Sequence, residues 1–293
     1  MEMVVAGKQK QYIMDETASG KAKLKAKRTF IKKGTCSRTF FHLLNKEFGH
    51  PKEEEECALD PLAGGILQQG YQCGMLWGAS MAVGAEAYRR AENKPQAIVM
   101  AIKATQYILE SFVDRTESVN CEDITNTDFS NKWSMAKYMF SGRFVSCFIL
   151  AGKWAPEAIE AATEGLSVNG SESIKQPLSC ASEVIKQMGG SEEEMAMVAG
   201  FAGGLGLCGN ACGALAAAIW KFALEMLRKE NQNLSYNDPI LEGIVTKFYE
   251  VTDYKTECKE ICGQKFATIE EHTNYINNGG CERLINTLAE SRV

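Results

Sequence analysis

The cysteines of this chain fall into two sets that follow the same order. A Cys-Gly pair follows two adjacent glycines at the same spacing in both halves, at Cys73-Gly74 and at Cys212-Gly213. Three more pairs of cysteines continue the match, namely Cys36 with Cys180, Cys121 with Cys258, and Cys147 with Cys281. Because cysteines placed by chance would not keep one order over this length, the pattern indicates a tandem repeat. The shared cysteines predict one functional site per repeat.

Thiolates in this number and spacing are typical of metal centres. Four cysteines per repeat, with only three histidines in the chain, suit an iron–sulfur cluster or a zinc ion with four sulfur ligands. Zinc sites usually contain a tight Cys-x-x-Cys pair, which is absent here, so the wide spacing favours iron–sulfur clusters of unknown nuclearity. The predicted ligands are Cys36, Cys73, Cys121 and Cys147 in the first repeat, and Cys180, Cys212, Cys258 and Cys281 in the second.

Two additional cysteines distinguish the second half. Cys208 and Cys262 stand where the first half has Gln69 and Thr125, and each lies four residues from a repeated cysteine. On a helix this spacing places the sulfurs of Cys208 and Cys212, and those of Cys258 and Cys262, on one face. Because both extra cysteines occur in one half and both are absent from the other, we expect Cys208 and Cys262 to face one another in a six-sulfur site. They are candidate ligands of a larger cluster, or candidate catalytic thiols beside a cluster. Cys57 has no counterpart and is predicted only to pack.

Cys73 and Cys212 each stand where a glycine-rich stretch enters an apolar helical run. The free N–H groups and the positive dipole end of a helix N-terminus favour a thiolate there. The run from Gly200 to Gly206 resembles a phosphate-binding loop only loosely, because no strand is predicted before it. Its glycines therefore predict close helix packing.

Composition restricts the class of protein. The 293 residues carry a formal net charge of -5 without a dominant basic face, which argues against nucleic acid as a partner. The N-terminus lacks the apolar stretch of a secretory signal, so we expect a cytoplasmic location, where cysteines bind metals or catalyse rather than form disulfides. No Cys-x-x-Cys-His occurs, so the usual signature of covalent haem attachment is missing.

One basic cluster precedes the repeats and consists of Lys21, Lys23, Lys25, Lys27, Arg28, Lys32 and Lys33. A short charge run of this kind usually forms a solvated tail or helix face. The alternative is a docking surface for an acidic redox partner. A redox partner protein is expected, and homo-oligomerisation stays open.

The segment from Met195 to Trp220 carries no charge and is long enough to span a bilayer. Six glycines within it, and Pro61 with three glutamines in its counterpart in the first half, argue against a lipid-facing helix. We therefore expect both segments to be buried in protein, with no membrane span.

The pattern predicts an all-α protein. Apolar residues recur at helical spacing in residues 181–188 and 41–48, just after a repeated cysteine, and each run ends at glycine. Further helices are expected from Pro239 after the N-cap Asp238, through residues 98–112, and from Pro156 onwards.

The turn-rich residues 167–171 are predicted to separate the repeats. This boundary gives a basic N-terminal segment of residues 1–29, a first repeat of residues 30–166 and a second repeat of residues 172–293. We expect the two tandem helical repeats to be related by pseudo-twofold symmetry, because duplicated chains often keep the interface of an ancestral dimer.

These motifs resemble those of the redox-active protein family described by the pattern C_GCAxxG_C_C. Its members have a Cys-Ser stretch, a glycine-rich stretch, a Cys-Gly-Ala-x-x-Gly motif and two later cysteines. The matching residues here are Cys36-Ser37, Gly200 to Gly204, Cys212-Gly213-Ala214, Cys258 and Cys281, with Cys73 to Gly78, Cys121 and Cys147 in the first half. Ala217 replaces the final glycine in the second half and Met75 replaces the alanine in the first, while all the cysteines are kept. The resemblance implies a redox function with iron–sulfur clusters, in a chain similar to a fused pair of single-copy members.

The main hypothesis is a redox protein that binds one iron–sulfur cluster per repeat, for electron transfer or reductive chemistry. Whether the chain is an enzyme stays open. One alternative is a metal-free thiol–disulfide oxidoreductase that uses Cys208/Cys212 or Cys258/Cys262 as the exchanging pair. The other alternative is a structural zinc protein.

Overall fold

The computed structural model describes residues 16–129, 131–142, 144–168, 176–230 and 238–291. Within these ranges the protein is all-α, as predicted, with two short 3-10 helices (Asp60–Leu62 and Ala199–Phe201) and two isolated β-bridges instead of strands. The α-helices of the first half are α1 (Glu16–Lys33), α2 (Cys36–Glu47), α3 (Glu53–Cys57), α4 (Gly74–Arg90), α5 (Lys94–Thr116), α6 (Cys121–Thr125), α7 (Lys132–Phe140) and α8 (Phe144–Ser167). Those of the second half are α9 (Cys180–Gln187), α10 (Glu192–Met197), α11 (Gly213–Glu230), α12 (Pro239–Val251), α13 (Cys258–Ile261), α14 (Ile269–Asn277) and α15 (Glu282–Ala289).

The ends of several helices follow from local capping chemistry. The Asn93 side chain accepts a hydrogen bond from the Gln96 N–H at the start of α5, and Glu117 ends this helix in the left-handed conformation. At the start of α12, Asp238 caps the helix and Pro239 occupies its first turn, which confirms the sequence prediction. The predicted long helix through residues 98–112 is also confirmed as α5.

The first cysteine of each repeat opens a helix. Cys36 is the first residue of α2 and Cys180 is the first residue of α9, which confirms that a helix starts at each of these positions. The Ser179 side chain caps α9 by accepting a hydrogen bond from the Ser182 N–H. Both helices are short and amphipathic. Their buried faces pack on the core and thereby hold the first cysteine of each repeat in place.

Pro156 does not open a helix, and this prediction is wrong. It lies inside α8, which runs without interruption from Phe144 to Ser167. Proline deprives the Gly152 carbonyl of its usual helical donor. The helix continues because it packs along α1 and α5, where the buried Trp154 indole donates to the Ser111 hydroxyl at 3.1 Å. Tertiary packing therefore outweighs the local cost of the proline.

The two repeats share one hydrophobic core. Helices α4 and α5 of the first repeat pack against α10 and the 3-10 helix Ala199–Phe201 of the second. At this junction a Cβ atom on Gly200 would lie 2.5 Å from the Ser80 hydroxyl, and the Trp77 and Phe201 rings meet edge to face at 4.8 Å. The predicted close packing of the glycine-rich run is confirmed.

The uncharged segment from Met195 to Trp220 is almost entirely buried inside the protein, as predicted. It is not one helix, because α10, a 3-10 turn, a glycine-rich loop and α11 follow one another in it. Within the described residues, no helix has the length and hydropathy needed to cross a bilayer.

The basic N-terminal cluster lies on α1, which buries Ala26 and Phe30 and exposes most of its lysines, as expected of a solvated face. This helix continues across the predicted boundary at residue 30, and its last residue is Lys33. Residues 1–15 and most of the predicted separator at 167–171 lie outside the described residues. The domain limits and the pseudo-twofold relation remain predictions.

Candidate functional site

A short antiparallel bridge brings the second and third repeated cysteines together in each half. The bridges pair Gln72 with Asn120 and Ala211 with Glu257, one residue before each cysteine. Backbone N–H groups of the four cysteines donate across these bridges, from Cys73 to Val119 O (2.8 Å), from Cys121 to Tyr71 O (2.7 Å), from Cys212 to Thr256 O (3.1 Å) and from Cys258 to Asn210 O (2.6 Å). The same local device therefore builds both sites.

The glycine-rich loops bring the first cysteine into each site. The Gly64 N–H is directed at the Cys36 sulfur, and the Gly203 N–H is directed at the Cys180 sulfur. Both glycines have positive φ, at 70° and 59°, which L-residues with side chains rarely adopt. A Cβ atom on Gly74 would lie 2.6 Å from the Cys36 Sγ, so glycine after Cys73 leaves room for the other cysteine.

The structure brings together the four predicted cysteines of the first site. Cys36 and Cys73 are hydrogen-bonded, an interaction that lowers the pKa of Cys36 and raises that of Cys73. Burial, followed by the nearby Cys36 and Cys147 sulfurs, raises the pKa of Cys121. The Tyr138 hydroxyl lies 3.3 Å from the Cys147 Sγ.

Five cysteines of the second repeat line one cavity. They come from four segments of the chain, since Cys258 and Cys262 share one turn, and the other lining residues contribute no carboxylate. The cavity is lined by Cys180, Cys212, Cys258, Cys262 and Cys281, together with Gly213, Ala214, Ile261, Phe266, His272, Tyr275, Ile276 and Leu284. The Cys262 Sγ lies 3.8 Å from the Cys258 Sγ and 3.6 Å from the Cys281 Sγ. Sulfur therefore dominates the polar atoms of this apolar cavity.

Burial controls the protonation of most of these thiols. It raises the pKa of Cys180 to about 11 and that of Cys212 to about 12, although the Ala214 and Leu215 N–H groups point at the Cys212 sulfur. The predicted effect of the helix N-terminus is therefore present in its geometry but is outweighed by desolvation. Cys262 differs, because hydrogen bonds from Cys258, and then from Cys281, hold its pKa below the ordinary thiol value.

Cys208 does not line this cavity. The loop that carries it is a turn rather than a helix, so the predicted helical spacing of Cys208 and Cys212 is wrong. Its thiol donates to the Gly204 carbonyl at 2.6 Å, and it faces a separate groove of about 570 Å³ beside Lys265 and Gln106. The structure thus gathers five sulfurs in the second site, and a ligand role for Cys208 stays a prediction.

The other extra cysteine of the second half behaves as the helical spacing predicts. Cys262 follows the last residue of α13, and its backbone N–H donates to the Cys258 carbonyl at 2.8 Å. Both sulfurs therefore lie on one side of this turn. Cys57 lies apart on α3, where the Arg38 guanidinium donates to its sulfur at 3.3 Å.

Sequence reasoning missed a pair of tyrosines at the two sites. Tyr138 and Tyr275 each follow the third repeated cysteine by the same number of residues, and Tyr275 hydrogen-bonds to both Cys262 and Cys281. Each tyrosine packs on a phenylalanine, with ring centroids at 5.3 Å for Phe129 and 5.1 Å for Phe266. The offset that relates the cysteines also relates these aromatic residues, and this signal could have found them.

His272 is a second omission. Its Nδ1 lies 3.2 Å from the Leu178 carbonyl, which assigns the proton to this nitrogen and leaves Nε2 as the unprotonated one. Burial lowers the pKa of His272 to about 4, so its ring is neutral at pH 7. The ring lines the same cavity as the five cysteines. Its only sequence signal is its position on the helix between Cys262 and Cys281.

The donors of the second cavity fit sulfur ligation of a multinuclear centre. In the described parts of the chain, no three His, Cys, Asp or Glu side chains converge as ligands of one metal ion. A tetrahedral zinc ion needs its ligands around one point, whereas a cluster spreads its thiolates over several iron atoms. The sulfur donors around this apolar cavity are therefore compatible with an iron–sulfur cluster. They do not form a closed site for a single metal ion.

Comparison with known proteins identifies the same two repeats. The model of the family described as "Putative redox-active protein (C_GCAxxG_C_C)" matches residues 35–158 and again residues 178–292. The two matches contain every repeated cysteine. No significant match is found among curated proteins or among solved structures.

Proposed function

Because the chain belongs to the redox-active C_GCAxxG_C_C family and contains its domain twice, we propose that each repeat binds one cysteine-ligated iron–sulfur cluster. The family supports a general redox role, and the cluster is our assignment of the group that performs it. Such a cluster would supply a centre for reversible one-electron transfer. The ligands would be the four repeated cysteines of each half, with Cys262 as a fifth sulfur in the second.

One observation carries this assignment: five cysteines line a single apolar cavity that no carboxylate enters. A buried thiol that serves packing alone needs no other thiols near it. The raised pKa values of Cys180 and Cys212 show that these sulfurs are neutral without a positive charge nearby. A bound metal supplies that charge and deprotonates a coordinating thiol.

The remaining side chains would position and shield the centre. Tyr138 and Tyr275 present hydroxyl groups to cysteine sulfurs, and desolvation raises the pKa of both phenols, so each stays a hydrogen-bond donor. Phe266 packs against Tyr275 and excludes water from one side of the second cavity. These contacts hold the sulfurs in an environment of low polarity.

Anaerobic purification with iron, sulfide and absorbance measurements tests the proposal. We expect broad absorbance at about 400 nm, where thiolate-to-iron charge transfer of cysteine-ligated clusters occurs. The Cys73→Ser and Cys212→Ser variants should each lose the iron of one repeat and keep that of the other. Cys57→Ser is the matched control and should keep all the iron. A colourless protein after reconstitution, or complete iron loss from one substitution, would contradict two independent clusters, and stoichiometric zinc would favour a structural metal site.

A second function is favoured by the contacts of Cys262. Its sulfur touches those of both Cys258 and Cys281, and its lowered pKa favours the thiolate that attacks disulfides. In this scheme Cys262 attacks a substrate disulfide and releases one substrate thiol, and Cys258 or Cys281 then resolves the mixed disulfide. The substrate gains two electrons and two protons, and the protein keeps a disulfide.

Mass spectrometry of the apo-protein separates the two functions. Stoichiometric turnover of a model disulfide, with a Cys258–Cys262 or Cys262–Cys281 disulfide in the product, would support exchange. Iron incorporation without such turnover would support the cluster.

A further inference from the structure

Two segments of this acidic chain contain no carboxylate. Residues 17–46 and 129–156 include neither Asp nor Glu, although the whole chain has a formal net charge of -5. Each segment also contains one cysteine of the first site, Cys36 in the former and Cys147 in the latter. Positive charge is therefore concentrated around one of the two sites.

The two segments meet along α1 and α8. Phe30 of α1 stacks on Phe148 of α8 with ring centroids at 4.3 Å, and the Lys27 side chain lies against Gly152 one turn further along. The two helices are thus antiparallel, and the end of α1 lies beside the beginning of α8. The carboxylate-free segments are therefore adjacent to each other in the first repeat.

Large apolar side chains are exposed on both of these segments. Trp133 and Phe140 of α7 are 86% and 93% exposed, and Ile31 of α1 is 74% exposed. We call this surface the basic–apolar face; its members are Arg28, Ile31, Lys32, Trp133, Lys137, Phe140, Phe144, Val145 and Ile149, all exposed. An apolar centre beside charges of one sign is the composition of a docking surface for a protein of opposite charge.

The basic–apolar face leads directly to the first site. Helix α7 carries Trp133 and Phe140 on its exposed side, and it carries Tyr138 with its hydroxyl 3.3 Å from the Cys147 sulfur. A protein bound to this face would be separated from a site cysteine by little more than one side chain. This contact favours a redox protein over a lipid surface as the occupant.

The corresponding helix of the second repeat, α14, does not carry such a face. At the repeat offset that aligns Tyr138 with Tyr275, Trp133 corresponds to the exposed Glu270, and Phe140 corresponds to Asn277. Helix α14 therefore presents acidic and polar side chains where α7 presents aromatic ones. The two repeats differ in their surface as well as in their cysteines.

We propose that the basic–apolar face docks an acidic protein that exchanges single electrons with the first site. This inference rests on the proposed function. It adds the route of electron exchange with the partner, because electrons enter or leave the protein through the first repeat. The electron passes from the reduced partner to the oxidised centre of the first repeat, so one electron is lost and one is gained.

Stopped-flow reduction of the cluster-loaded protein tests the proposal, with reduced flavodoxin as an acidic one-electron protein donor. Reversal of charge in Arg28→Glu/Lys32→Glu should lower the second-order rate at least tenfold at low salt and weaken its salt dependence. The matched control, Lys229→Glu/Lys247→Glu, changes two exposed lysines of the second repeat and should stay within twofold of the parent. Reduced methyl viologen, a small donor that needs no docking surface, should reduce all three proteins equally.

Several outcomes would overturn the docking proposal and leave the proposed iron–sulfur clusters unaffected. Equal rates for both charge-reversed proteins would show that the face has no role in docking. Reduction by methyl viologen without any reduction by flavodoxin would also contradict it. Cosedimentation with phosphatidylglycerol vesicles that Arg28→Glu/Lys32→Glu abolishes, without a flavodoxin effect, would assign the face to a membrane surface. If neither donor reduces any centre, the proposed function itself fails.

Discussion

The Tyr138 hydroxyl lies 3.3 Å from the Cys147 Sγ, and in the second repeat Tyr275 makes the corresponding contact with Cys281. Each tyrosine is fixed by a phenylalanine ring and by the helix between the third and fourth cysteines. The shared arrangement gives each site one neutral hydrogen-bond donor at the sulfur of its last cysteine. Hydrogen bonds to ligating sulfurs help set the potential of an iron–sulfur cluster.

Removal of one hydroxyl should therefore lower the reduction potential of one site. A hydrogen bond to sulfur stabilises the more negative, reduced state, so Tyr138→Phe should make the first site harder to reduce. We expect a change on the order of tenfold in the equilibrium constant, or about 59 mV for a one-electron couple. Redox titration followed by absorbance measures it, and Tyr275→Phe should shift the other site.

Tyr88→Phe is the matched control for these variants. Tyr88 lies near the end of α4, about 20 Å along the helix from Gly74 at 1.5 Å per residue. Its replacement should leave both potentials unchanged. Shifts of equal size in all three variants would mean that the tyrosines act through general stability rather than through a sulfur.

Cys208→Ser should leave the iron content of the protein unchanged. The Cys208 thiol donates to the Gly204 carbonyl and faces a groove outside the five-cysteine cavity, and serine can make the same hydrogen bond. Cys281→Ser, by contrast, removes a sulfur from the cavity and should lose the iron of the second repeat. Iron and sulfide assays on both variants, purified without oxygen, make the comparison. Iron loss in Cys208→Ser would support the six-sulfur site that the sequence predicts.

The order of the cysteines predicts most of the site, because ligand positions survive as a pattern in the chain. The helices at Cys36, Cys180 and Asp238 were also predictable, since caps and apolar spacing are local signals. The tyrosines were visible at the same offset as the cysteines. Metal-ligand chemistry, however, points to cysteine itself and not to the residues that contact it.

Two misjudgements came from backbone conformation that spacing does not reveal. Cys208 and Cys212 are four residues apart, yet Gly203, Gly204 and Gly206 adopt positive φ and fold the segment into a turn. Pro156 has the sequence signal of a helix start, yet α8 passes through it because the helix is packed on two others. The place of His272 depends on how α14 closes over the cavity, which is a tertiary property.

The glycine after the second cysteine should be intolerant of a side chain. A Cβ atom on Gly213 would overlap the Phe201 carbonyl, which belongs to the backbone and cannot rotate away. Gly213→Ala should destabilise the protein by about 1–3 kcal/mol, the usual cost of overpacking a core. Urea denaturation followed by circular dichroism measures the loss. Because the same substitution would displace Cys212, iron binding in the second repeat should fall with it.

Gly243→Ala provides the opposite case. Gly243 lies inside α12 with no atom within 4 Å of an added Cβ. Alanine should stabilise this helix by about 0.5–1 kcal/mol, because it loses less conformational entropy on folding. A Gly213→Ala protein as stable as Gly243→Ala would contradict the close approach of α11 to the Phe201 carbonyl.

The buried carboxylate of Glu194 should make stability depend on pH. Although burial alone would raise its pKa, the Lys221 ammonium at 2.9 Å and the Arg228 guanidinium at 2.8 Å hold the pKa below the ordinary value. A depressed folded-state pKa stabilises the protein above the unfolded pKa of about 4.3, and the stabilisation disappears as pH falls through the folded value. Glu194→Gln should therefore lose about 3 kcal/mol at pH 7, because it leaves the buried Lys221 without its closest counter-charge.

The difference between parent and Glu194→Gln should shrink as the pH falls below the unfolded pKa of about 4.3 and disappear below the lower folded pKa, because the parent carboxylate is then protonated in both states. Chemical denaturation at pH 7, 5 and 3 measures it. Glu183→Gln is the matched control: Glu183 pairs with the exposed Lys186 at 3.1 Å within α9, and such a surface pair contributes about 0.5 kcal/mol. A pH-independent difference between parent and Glu194→Gln would place the effect in packing of the carboxamide, and the ion pairs to Lys221 and Arg228 would then contribute nothing to stability.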